Sequence, residues 1–183
     1  MKKAHLMFVL LFCLLFIVNI NASEKGIIIS AYQGLCYDGN FDKNMEAVRR
    51  VVKEALARNS DFLCFPETFL SGYMPEEKVL EGAVYLDDPR LSEFIKSTSD
   101  YDMVILVGIA EKTSNGMYNT QLIIYKGKLL GKYSKIMLIG GDRKKGFKVG
   151  KKMPVFEAKG VKFACIICAD SSYPETALLA RYQ

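Results

Sequence analysis

Asp61-Phe-Leu-Cys-Phe-Pro-Glu67 is an apolar run that stops at a proline and a carboxylate. What precedes it decides how it is read. Gly26-Ile-Ile-Ile-Ser-Ala-Tyr32 is a second short run, rich in β-branched residues and bounded by turn formers. Between the two lies one helical pattern. Asn40 offers a cap, Val48, Val51, Val52, Ala55 and Leu56 recur at helical spacing, and Asn59-Ser60 ends it. Both apolar runs read as buried strands. Strand, helix and strand joined by short links form a βαβ unit, which predicts parallel pairing under a helix layer.

Working outward, the stretch from Thr68 to Asp88 is loop-like, with glycines at 72 and 82 and prolines at 75 and 89, and Pro89 to Thr98 fits a short helix. Tyr101-Asp-Met-Val-Ile-Leu-Val-Gly-Ile-Ala110 is the clearest core strand. Met117 to Tyr125 and Leu129 to Lys135 flank Lys126-Gly127-Lys128 as a hairpin, and Val155 to Ala158 and Val161 to Ile167 pair in the same way around Lys159-Gly160. The sum is an α/β protein with two packed sheets. A last helix starts near Pro174, a residue suited to a first turn.

The N-terminus is a separate matter. Met1-Lys-Lys-Ala-His is followed by 13 uninterrupted apolar residues from Leu6 to Val18 and then by Asn19-Ile-Asn-Ala22-Ser23. A positive start, an apolar stretch too short for the ~20 residues of a membrane span and a small residue at 22 predict a signal peptide over 1–22. The expected product is exported, periplasmic or extracellular, with one domain over 23–183 and no stable membrane span. Without residues 1–22 the balance is 23 basic to 20 acidic side chains, too even to suggest a polyanion partner. The most basic stretch, Arg143 to Lys152, lacks interleaved aromatics and reads as a solvated loop, so nucleic-acid binding is not expected.

The sole histidine, His5, falls in that leader. Cysteine–histidine and serine–histidine catalysis are therefore excluded from the mature domain. Cys168 stands in Val161-Lys-Phe-Ala-Cys-Ile-Ile-Cys-Ala-Asp-Ser-Ser-Tyr-Pro-Glu175, where an apolar run turns polar at a thiol. If that thiol is a nucleophile, its proton goes to a carboxylate or an amine, and Glu67 and Lys135 stand at the ends of predicted strands, where α/β architectures gather their sites. Cys165 and Cys168 form a C-x-x-C, but three-residue spacing along a strand sends the two side chains to opposite faces, against a redox dithiol or a metal site.

Phe65-Pro-Glu-Thr-Phe-Leu-Ser-Gly-Tyr73, Gly131-Lys-Tyr-Ser-Lys-Ile-Met-Leu138 and Ile167-Cys-Ala-Asp-Ser-Ser-Tyr-Pro-Glu175 resemble, in order and spacing, the three signature segments of the nitrilase superfamily, the carbon–nitrogen hydrolases. Asp42-Lys-Asn44 fits as well, and the resemblance covers residues 26–183. It implies an αββα sandwich and a catalytic triad of Glu67, Lys135 and Cys168. The implied reaction is cleavage of a non-peptide C–N bond in a small amide or N-carbamoyl compound through a thioester, with no cofactor and no metal. It also implies that a complete chain pairs into a homo-oligomer. Glu67 would take the thiol proton, and Lys135 would lower the thiol pKa and stabilise the oxyanion.

Three departures accompany it. Met137 stands where members carry histidine, Asp142-Arg143 stands where many carry a second glutamate, and family domains continue beyond the cysteine elbow. The chain is thus expected to be C-terminally incomplete after that elbow. Two alternatives stay open: N-acyl transfer by the same triad, and an inactive remnant.

Overall fold

The structure is a computed structural model describing residues 26–73 and 75–182; the expected signal peptide lies outside these residues. Five strands form one sheet in the order β1-β2-β3-β4-β5. Strands β1 (Ile29–Ala31), β2 (Phe62–Cys64) and β3 (Val104–Thr113) run parallel, and β4 (Gly116–Tyr125) and β5 (Lys128–Ser134) continue antiparallel. The predicted βαβ unit and first hairpin are both present. A second, two-stranded sheet is the hairpin of β6 (Val155–Ala158) and β7 (Val161–Ala164).

Side-chain alternation along the strands sorts the core into two layers. On one face Leu63, Ile105, Val107, Ile109, Leu122 and Ile124 pack against helix α1 (Phe41–Ala57) and helix α3 (Pro89–Ser97). The Asn40 side chain caps α1 by accepting from the Lys43 N–H at 3.1 Å, as its sequence position predicts. On the opposite face Phe62, Val104, Leu106, Ile123 and Tyr133 meet Phe156, Ala158 and Cys165 of the hairpin layer, with Ala180 of helix α5 (Pro174–Arg181) packed against the same cluster. The layers follow helix, sheet, sheet. Among the described residues no helix is long and apolar enough to cross a membrane.

Four local expectations are corrected. The loop-like stretch 68–88 contains a short helix, α2 (Glu76–Gly82), whose buried positions are only Val79 and Gly82; so small an apolar face gives no readable period. Strand β1 is not buried. Ile29 pairs with Phe62, which aims it at the hairpin face, yet it lies on the sheet edge beyond the hairpin and is 67% exposed. The last strand stops at Ala164 rather than Ile167. Finally, the basic stretch 143–152 is not a wholly solvated loop: helix α4 (Gly140–Lys144) enters it, and Lys145 and Phe147 are buried.

Candidate active site

Three chain segments leave the sheet region and converge. Glu67 follows β2 by three residues, at a turn in which Thr68 takes a left-handed φ of 48°. Gly108 of β3 runs against this turn so closely that a Cβ there would stand 2.4 Å from the Thr68 nitrogen. Lys135 comes directly after β5. Its N–H donates to the Asn119 carbonyl at 2.9 Å and its own carbonyl accepts from the Gly150 N–H at 2.8 Å. A Cβ on Gly150 would stand 1.9 Å from the Ser134 oxygen, so the close approach that clamps Lys135 needs glycine.

Cys168 opens a single 3-10 turn, Cys168–Ser172, and holds a φ of 46°. A non-glycine residue there is strained, and the strain is held by Asp170. This fully buried carboxylate accepts from the Ile167 N–H at 2.8 Å, the Met137 N–H at 2.8 Å and the Tyr133 hydroxyl at 2.7 Å. One side chain thereby ties the cysteine turn to the segment just past Lys135. Burial and the hydrogen bond to Asp170 raise the Tyr133 phenol well above its ordinary pKa.

The three predicted residues meet. The fully buried Lys135 ammonium donates to Glu67 Oε1 at 2.7 Å and pairs with Asp142 Oδ2 at 2.8 Å. Burial alone would depress this ammonium, but the hydrogen bonds to Asp142 and Glu67 outweigh it and hold it protonated above the ordinary lysine range. The Cys168 thiol lies close enough to the Glu67 carboxylate and the Ala169 N–H for both to shift its pKa, the carboxylate upward and the N–H downward. Lys135 does pull the thiol pKa down, as expected, yet the net direction is up: burial and the Glu67 charge both favour the neutral thiol. The resting group is a thiol beside a base.

Sequence reading missed several neighbours. Asn119 Nδ2 donates to Glu67 Oε1 at 2.6 Å, so that oxygen is held by both an amide and an ammonium. In sequence Asn119 stands beside Tyr118, Thr120 and Gln121, so nothing local sets it apart. Asp142, noted only as a shifted substitute, is fully buried on α4, and its Oδ1 has no hydrogen-bond partner among the described residues. Arg143, the alternative, is exposed. Half-buried Tyr73 borders the site: burial first, then the charges of Glu67 and Asp142, raise its phenol pKa. Cys165 is buried among apolar residues, which push its thiol up to about 12, and both cysteines of the C-x-x-C are free. No group of three or more His, Cys, Asp or Glu among the described residues is placed to hold a metal ion.

Comparison with known proteins gives the same family. The model of the carbon-nitrogen hydrolase family matches residues 28–183. The glutamine-dependent NAD(+) synthetase of Thermotoga maritima is 30% identical over 136 residues, covering 72% of this chain and 23% of the synthetase. The nitrilase of Pyrococcus abyssi is 31% identical over 140 residues, covering 74% of this chain and 53% of the nitrilase. A CN-hydrolase superfamily protein of Xanthomonas campestris superposes with a TM-score of 0.69 at 25% identity, over 80% of this chain and 55% of that one. The chain thus spans about a quarter of the synthetase and about half of the nitrilase.

Proposed function

Because the chain belongs to the carbon–nitrogen hydrolase family, we propose that it hydrolyses the C–N bond of a small carboxamide or N-carbamoyl compound through a thioester on Cys168. The observation that carries this reading is the Lys135 ammonium, buried and held at 2.7 Å from Glu67, with the Cys168 thiol near enough to both for their charges to shift its pKa. The raised thiol pKa means that the thiolate forms only as the reaction proceeds, with the neighbouring Glu67 carboxylate as the base.

The steps follow. Glu67 removes the thiol proton as sulfur bonds to the amide carbon, and the developing oxyanion faces the Lys135 ammonium and the Ala169 N–H. Collapse breaks the C–N bond, and the proton on Glu67 passes to the departing nitrogen. Water then gives a proton to Glu67 and adds to the thioester carbon. The C–S bond breaks, the acid leaves, and the proton returns to sulfur. The unpartnered Oδ1 of Asp142 is suited to accept an N–H of the substrate amide.

An amide substrate agrees with part of the relatives, which also include nitrilases. Matches include an (R)-stereoselective amidase of Pseudomonas and the N-carbamoylputrescine amidase of Arabidopsis thaliana, and the synthetases depend on glutamine, itself a carboxamide. The test is intact-mass analysis during incubation with a panel of small amides. A mass increase equal to the acyl group, absent in Cys168→Ala and present in Cys165→Ala, is expected. An adduct that survives in Cys168→Ala would sink the assignment.

A further inference from the structure

We infer that Lys145 forms an anion-binding position beside the candidate active site and that the amide substrate carries a carboxylate that pairs with it; this deepens the amidohydrolase reading and rests on it for the reacting group. Lys145 lies in the stretch whose charge density suggests solvent, yet it is only 4% exposed. Its ammonium reaches the Gly141 carbonyl by one long hydrogen bond of 3.4 Å and sits 4.1 Å from the centre of the Tyr73 ring. Among the described residues it makes no ion pair.

The contrast with the other deeply buried lysine is direct. Lys135 has two carboxylates within 2.8 Å, as a desolvated ammonium requires. Lys145 has a ring face and one weak acceptor. An aromatic face contributes about 0.5–2 kcal/mol to a cation, well below the several kcal/mol that removing an ion from water costs. The position is short of an anion.

Its location says which molecule would bring one. Lys145 follows Asp142 by three residues, one turn further along α4 and its C-cap, so the two side chains share a face; Asp142 on that face reaches Lys135. The Tyr73 ring beneath the ammonium is electrostatically coupled to Glu67, Asp142, Lys135 and Cys168. In the proposed complex the substrate extends from Cys168 past Tyr73 to Lys145. A single ammonium is a compact point charge that can pair with a substrate carboxylate.

The experiment compares succinamate with the uncharged amide butyramide on the full chain, on Lys145→Met and on Lys145→Arg, with Lys145→Gln as a second neutral variant should methionine perturb folding. The expected result is a kcat/KM for succinamate at least tenfold above that for butyramide. This ratio falls toward one in the neutral variants through KM rather than kcat, and is partly restored by arginine. A ratio unchanged by the neutral variants overturns the inference and leaves amide hydrolysis standing. If neither amide is hydrolysed, the reaction is misassigned, and calorimetric titration with succinamate decides the subsite: binding lost in the neutral variants upholds it, whereas binding that is equal or undetectable in all forms overturns it.

Discussion

The reactivity of Cys168 depends on which neighbour dominates its ionisation. Burial and the Glu67 carboxylate hold the thiol pKa above its ordinary value, and Lys135 opposes them less strongly. A raised pKa means that the neutral thiol persists to higher pH, so alkylation, which needs the thiolate, is delayed. The rate of iodoacetamide labelling at Cys168, located by peptide mapping, should therefore rise with pH through a midpoint above the ~8.5 of an ordinary cysteine. In Glu67→Gln the midpoint should move to lower pH, because the repelling charge is gone and Lys135 remains. A shift to higher pH in that variant would show that the carboxylate is not beside the sulfur. Holding this exposed thiol neutral also limits its oxidation, which follows thiolate character.

At the level of elements, the site depends on connections between segments far apart in sequence. The Asp170 carboxylate bonds to the cysteine turn, to the backbone after Lys135 and to Tyr133 of β5. Asp170→Ala leaves three donors without their acceptor, two of them buried and one half-buried, each an unsatisfied polar group. It should lower stability by about 3 kcal/mol or more on that principle, measured by chemical denaturation. The strained φ of Cys168 should relax with it, so labelling of the thiol should lose its dependence on Glu67. A loss below about 1 kcal/mol, the worth of one ordinary hydrogen bond, would mean that the turn is held by its own backbone.

For the whole chain, we propose export directed by residues 1–22, from the two lysines and the 13 apolar residues that follow them. Expressed in a secreting host, the protein should be recovered with an N-terminus near Ser23, read by Edman sequencing or intact mass; an uncut chain in the membrane fraction would show an anchor instead.

Much of the architecture was legible in local pattern. β-branched runs marked β2 and β3, the valine spacing marked α1, and Lys126-Gly127 and Lys159-Gly160 marked the hairpin turns, because strand and helix periods and turn chemistry are properties of neighbouring residues. Glu67, Lys135 and Cys168 were singled out from sequence at the ends of predicted strands, and the structure brings them together. The rest required the third dimension. Helix α2 buries too little to show a period, and Ile29 reads as core although the sheet edge exposes it. Asn119, Asp142, Asp170 and Lys145 look locally like ordinary polar residues. Sequence determined the periods, the turns and the chemical types at the site. Tertiary structure alone decided which charges are buried and with whom they pair, because desolvation and ion pairing depend on segments such as 67, 135 and 142 meeting in space, and no local period encodes that distance.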